Sequence, residues 1–343
     1  MFDFDKLAAD WVRDGFLPGG VLNIAAPGGF RFSKSYGAYS NNESVQPIEQ
    51  ATLFDLASLT KVVATLPVVL SLAQEGSLGL DDPVGSHVEE FRHPEVTIRH
   101  LLQHTSGLPA DLAPVPRDAS GTDVLRSVWE APLTSEPGSR ATYSDLGMIA
   151  LGILAERAGG EPLDRAARRR IFAPLGMNNT GFATQLEGLP ARAAATEKLG
   201  SSFLVGQVHD EKSFALGGVS GSAGLFSTAA DLSTYLQYWL HPSPKGPLSP
   251  EWVAECFRDP FGGRGLGWEL LHDADLVPPS CGTNWSAGSF GHTGFTGTSL
   301  WVDPKAQLSV VWLTNAVHYG RQTPIRALRR KLHDQIRADL LGD

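Results

Sequence analysis

The chain has 343 residues, of which 42% are hydrophobic and 19% charged, an ordinary globular balance with material for a sizeable core. Its net charge of −9 and basic runs of at most three residues argue against nucleic acid as a partner. The two cysteines, Cys256 and Cys281, could be paired or reduced, and neither falls in a C-x-x-C or zinc spacing.

In chain order, the first residues from Met1 read as an acidic amphipathic helix without the basic start, apolar middle or cleavage site of a secretion signal. No apolar run approaches bilayer-spanning length, so a soluble, cytoplasmic protein with no membrane partner is expected. Residues 19–26 read as a strand, 27–29 as a turn and 30–36 as the antiparallel partner strand. A short strand over 53–56 then leads into the most informative stretch. From Ser58 to the stop signal at Gly76 the pattern is helical, and 59–72 is apolar on nearly every face, as in a helix buried within a domain. Residues three apart share a helix face, so the Lys61 amine can lie against the Ser58 hydroxyl. A serine hydroxyl becomes a nucleophile only beside a base, and lysine is that base only where its neutral form is favoured. The helix start adds unpaired N–H groups and a positive dipole end, useful where an oxyanion develops. The plain alternative is that Ser58 is an N-cap.

Residues 79–216 show short helical patterns broken by Pro and Gly: 81–84, 97–104, a helix after Asp145 and an Arg-rich helix over 163–172. They are read as a mainly helical insertion into a discontinuous sheet domain made of 1–78 and 217–343. Strand patterns return at 225–227, 266–270, 289–295, 299–303 and 308–314, with a hairpin turn at 303–305, and a helix over 324–341 closes the chain. The expected class is α/β (α+β), an antiparallel sheet flanked by terminal and central helices.

Three further stretches carry chemistry. Tyr143 and Asp145 stand in a Pro/Gly/Ser-rich loop that runs into a helix. His292-Thr293-Gly294-Phe295 lies in a Gly-rich strand region, where glycine marks the close approach of another backbone or a ligand. The third runs from Thr97 to Pro109. Together with Ser58-x-x-Lys61, these make the chain resemble the serine β-lactamases of class C type and their penicillin-binding-protein and esterase relatives. Ser58-x-x-Lys61 matches the family's first motif fully; Tyr143-x-Asp145 and His292-Thr-Gly294 match Tyr-x-Asn and Lys-Thr-Gly in part. Residues 97–109 match its RHLL-HTSGLP segment throughout, and 217–228 and 313–318 are further family-like stretches.

The resemblance implies a β-lactamase/transpeptidase-like fold and a covalent acyl-enzyme on Ser58. Lys61 and Tyr143 would share the Ser58 proton, and the Ser58 and Phe295 N–H groups would form the oxyanion hole. Asp145, His292, Thr293 and Gly294 would contact substrate, and no metal or organic cofactor is implied. The partner is then a small-molecule ester or amide. Asp145 in place of the family's Asn makes the site more negative, and a solvent-reachable His292 in place of its strand Lys gives only a conditional positive charge, mostly absent at neutral pH; both favour small neutral esters, with hydrolysis of D-amino-acid peptides or β-lactams as the alternative. A metal site at His100-x-x-x-His104 lacks a third ligand pattern, and no complete G-x-S-x-G is present; both histidines read as packing or loop-bonding residues. A non-enzyme alternative is a sensor that is acylated without turnover, or a scaffold.

Overall fold

Strands from the two ends of the chain pair with one another in a computed structural model that describes residues 2–271 and 280–342. They are β1 (Gly19–Ala26), β2 (Phe30–Ser40), β3 (Val45–Pro47), β4 (Phe54–Asp55), β5 (Gly181–Phe182), β6 (Lys198–Leu199), β7 (Ser202–Phe203), β8 (Leu225–Ser227), β9 (Glu269–Leu270), β10 (Phe290–Thr293), β11 (Ser299–Asp303) and β12 (Leu308–Thr314). Seven form one antiparallel sheet in the order β3-β2-β1-β12-β11-β10-β9, with Val21 opposite Leu313 at its centre. A smaller sheet, β4-β8-β5, lies beside it.

Side chains alternate across a strand, so β12 feeds two cores. Leu308, Val310 and Trp312 join the terminal helices on one face; Val311 and Leu313 join the central core on the other. The N-terminal helix Asp3–Arg13 buries Phe4, Ala8 and Trp11 at helical spacing, and the C-terminal helix Ile325–Leu341 buries Leu332 and Ile336 against the same face. Met1, where the expected first helix began, lies outside the described residues. The helix Ala229–Leu240 covers the other face along β1 and β12. It was not read from the sequence, although Thr228 caps it by accepting the Asp231 N–H.

Several strand expectations shift at their ends. The pattern over 266–270 yields only β9, because Gly267 sits at φ +73° and the Gly265 N–H turns back to Trp268 O. The pattern over 289–295 stops at Thr293, where the Gly294 N–H turns to Thr298 O and closes the hairpin to β11. Residues 79–216 carry mostly helices, together with β5, β6 and β7.

The stretch after Ser58 is helical and buried but not regular. A tight turn, Ala57–Leu59, is followed by one wide π turn, Lys61–Thr65, and then by the α-helix Leu66–Gln74. Such widened turns concentrate at functional sites. The expectation that no run approaches spanning length also needs correction. Ala57–Gln74, 18 residues of mean hydropathy 1.4, is long and apolar enough, but 89% of it is buried inside the fold, as in a core helix. Cys256 and Cys281 are both free and buried.

Candidate active site

Ser58 owes its position to a strained approach. Ala57 adopts φ +46°, a conformation that costs an ordinary L-residue about 1–2 kcal/mol. Two buried contacts hold it: the Ala57 N–H donates to Asp55 Oδ1 at 2.8 Å, and Thr60 Oγ1 donates to Ala57 O at 2.7 Å. Asp55 Oδ2 in turn accepts the His209 N–H at 2.7 Å. The end of β10 is locked to the same turn, since Thr296 Oγ1 donates to Asp55 O at 2.7 Å and Thr298 Oγ1 to Leu56 O at 3.1 Å. Gly294 must be glycine here, because a Cβ would stand 2.4 Å from Leu56 O. The approach brings Ser58 and Phe295 to one cleft of about 700 Å³, which Tyr143, Arg264, His292, Thr293 and Gly294 also line. Among the described residues, the Phe295 N–H has no backbone acceptor.

Lys61 lies beneath Ser58, 1% exposed, and donates to Ser58 Oγ at 2.9 Å and to Ser222 O at 2.8 Å. Asp145 Oδ1 stands 2.8 Å from the same nitrogen as an ion pair. Burial acts most strongly on Lys61 and would lower its pKa, but Asp145 and Tyr143 outweigh it and the net shift is upward. The sequence argument needs a neutral lysine as the base; in this geometry Lys61 rests as an ammonium.

Tyr143 is carried by the stretch 97–109. His104 Nδ1 accepts the Ser144 N–H at 3.1 Å, His104 O accepts the Thr142 N–H at 2.8 Å, and the His104 ring packs 4.7 Å from the Tyr143 ring. His104 is therefore a buried support for the tyrosine loop. The Tyr143 ring lies 5.1 Å from Lys61 Nζ and 5.2 Å from Arg264 Cζ, with cations on two sides.

Asp145 and His292 differ from expectation in their surroundings. Asp145 is not among the residues that line the cleft; it sits behind Lys61, and Lys212 Nζ stands 3.5 Å from its Oδ2. Burial would raise its pKa, but Lys61 and Lys212 together hold it below the usual carboxylate value. Its negative charge is thus shared with two lysines. His292 is 3% exposed rather than solvent-reachable. Burial first, then Arg264 and Lys61, push its pKa well down, so it is neutral, with Nδ1 2.9 Å from Thr293 O. Four arginines line the cleft, Arg264, Arg321, Arg326 and Arg329; Arg264 is the one beside Tyr143, and its buried Nη1 has no hydrogen-bond partner among the described residues.

The family comparison is decisive on ancestry. The β-lactamase family's sequence model matches residues 4–335. The chain belongs to the β-lactamase family. This β-lactamase-family chain is 34% identical over 330 residues to a protein of Escherichia coli (strain K12) provisionally named a D-alanyl-D-alanine carboxypeptidase, covering 84% of the chain and 76% of that protein. In fold it resembles the LovD6 mutant of simvastatin synthase from Aspergillus terreus, with a TM-score of 0.77, 23% identity and coverage of 99% of this chain and 95% of that one. It also resembles EstCE1, described as a hydrolase with promiscuous acyltransferase activity, with a TM-score of 0.74, 24% identity and coverage of 95% and 97%. The protein is a serine hydrolase of the β-lactamase fold.

Lys212 and Arg264 escaped the sequence reading. Lys212 pairs with Asp111 at 2.9 Å and Asp210 at 3.3 Å besides Asp145, and only the fold assembles these four residues. Replacing Lys212 with Met leaves three aspartates around an apolar side chain. The expected loss of stability is about 3–5 kcal/mol, nearer the lower figure because solvent screens the more exposed Asp111. Urea denaturation checks it; a loss below about 1 kcal/mol would show that the cluster is screened like a surface pair.

Proposed function

We propose that this chain hydrolyses acyl compounds through a covalent acyl-enzyme on Ser58, and that its preferred substrates are D-amino-acid peptides, or related amides and esters, with a free carboxylate on the leaving side. The chemistry rests on one observation, Lys61 Nζ at 2.9 Å from Ser58 Oγ on the wall of an open cleft. Since Lys61 rests as an ammonium, it serves as the proton donor and charge partner. The basic partner for the Ser58 hydroxyl is then the Tyr143 oxygen, and charge forming on it is met by Lys61 and Arg264. Ser58 Oγ attacks the acyl carbon, and its proton passes through Tyr143 to the leaving amine or alkoxide. Water then attacks the ester on Ser58 and gives its proton back to the serine by the reverse relay. The N–H groups of Ser58 and Phe295 receive the oxyanion.

The substrate class rests on Arg264. It stands beside Tyr143, the group that meets the leaving atom, and offers an unspent guanidinium N–H suited to a carboxylate. The Escherichia coli relative's name supports the same class. The small-ester reading loses its electrostatic ground, because Asp145 is paired away from the cleft; the neutral His292 is the observation that keeps it as the second reading.

The test compares a peptide ending in D-alanyl-D-alanine with the same peptide amidated at its C-terminus. Losing a charged partner for a desolvated carboxylate costs about 2–5 kcal/mol, so the enzyme should prefer the free acid by roughly 30-fold to several thousand-fold in kcat/KM. Arg264→Ala should erase that preference. Equal hydrolysis of acid and amide by the unaltered enzyme, with short aryl esters much faster than both, would return the assignment to an esterase.

A further inference from the structure

Arg329 lies on the C-terminal helix, and its side chain is buried. It is 5% exposed, and among the described residues it makes no salt bridge. Burial lowers its pKa to about 9, with Glu269 the charge that opposes the shift, so it remains a cation at neutral pH. A buried guanidinium is expensive to keep unpaired, which calls for a compensating partner or a use. Its partners are two backbone carbonyls at the end of β10: Nη2 donates to Gly294 O at 2.7 Å and Nε to Gly297 O at 3.3 Å. The Gly294 carbonyl and the Phe295 N–H belong to one peptide group. Electron density drawn towards the carbonyl oxygen by a cation leaves the N–H end of that peptide more positive, since the group is a single resonance system.

We infer that Arg329 is a positioning residue for catalysis: through the Gly294–Phe295 peptide it aims and polarises the Phe295 N–H that receives the oxyanion. This rests on the acyl-enzyme reading above. Arg329 also lines the cleft, but it acts through its backbone contacts, lending a fixed positive charge to one donor. An ordinary loop clamp would need only hydrogen bonds to the same two carbonyls. What sets the two roles apart is the charge.

The experiment uses the full-length enzyme acylated by a cinnamoyl ester, with the ester carbonyl of the acyl-enzyme read by isotope-edited infrared difference spectroscopy. Its band moves to higher wavenumber as the oxyanion-hole hydrogen bonds weaken. Arg329→Gln keeps a donor for Gly294 O and removes the charge. Its band should move up, and kcat should fall about 10–100-fold with KM nearly unchanged, less than the roughly 10²–10³ that follows loss of a whole donor. Arg329→Lys should restore both at neutral pH. Because a buried ammonium loses its proton far more readily than a guanidinium, the lysine variant also carries the test by itself if the glutamine variant does not fold. Its band should rise with pH over a range in which the unaltered enzyme's band stays still. A band that is the same in Arg329→Gln as in the unaltered enzyme, or in Arg329→Lys at every pH, overturns the inference and leaves the acyl-enzyme reading intact. Absence of any acyl-enzyme on Ser58 in the unaltered protein overturns both.

Discussion

Replacing Ser58 with alanine lowers hydrolysis of any substrate by on the order of 10⁶-fold, the scale on which loss of a nucleophilic serine is felt, and abolishes covalent labelling by a fluorophosphonate. The ground is geometric. Ser58 lines the cleft, its Oγ accepts from a buried ammonium at 2.9 Å, and the strained Ala57 turn presents it to the same cleft as the Phe295 backbone. The substitution removes one hydroxyl at a half-buried position, so the fold should survive and the thermal midpoint should stay near that of the unaltered protein. Other hydroxyls lie close enough to be confused with it. Ser222 Oγ is 3.1 Å from Ser220 Oγ, and the Ser222 carbonyl accepts from Lys61. Peptide mapping of the labelled protein separates them: label on Ser106, Ser220 or Ser222, or label that persists in Ser58→Ala, removes Ser58 from its role.

Lys61→Ala and Tyr143→Phe should each lower kcat by about 10²–10⁴, the range for a lost proton-transfer partner. The structure sharpens the reason. Lys61 is a cation whose charge Asp145 sustains, so its removal strips the Tyr143 oxygen of a compensating charge and Ser58 Oγ of a donor. It also leaves Asp145 with Lys212 alone, and the variant should be less stable as well as slow. Tyr143→Phe deletes only the oxygen. Because both act on one proton, the double variant should be much less impaired than the product of the single losses. Single-turnover acylation rates, measured at a pH where all three variants are folded, decide the point. Fully multiplicative losses would place the two residues in separate steps.

Some of this was legible in the chain because it is local. Strands at both ends, the hairpins between them and the buried helix after Ser58 follow from side-chain periods of two and about four, which need no knowledge of the rest of the fold. The Ser58–Lys61 approach is of the same kind, since one helical turn brings the two side chains together whatever surrounds them. Even there the backbone differs from the expectation, with a tight turn and a wide turn where a regular helix start was read. The tyrosine loop was found by its likeness to a family, and the physical reason for the neighbouring 97–109 stretch, a cradle built around His104, emerged only from packing.

Charge was where local reading failed. Asp145 and His292, each read within its own short motif, made the cleft appear negative with only a conditional positive charge. In the folded protein Asp145 is matched by Lys212, 67 positions later in the chain, and His292 is held neutral by burial beside Arg264. The sequence by itself determined the fold class and the meeting of Ser58 with Lys61, because hydrophobic period and helical spacing act over a few residues, and its short motifs carried the likeness to the family. The tertiary structure alone decided that Lys61 rests protonated, that Arg264 stands in the cleft beside Tyr143, and that Arg329 grips the peptide behind Phe295. Those depend on burial and on Coulomb interactions between distant segments, and both come into being only when the chain has packed.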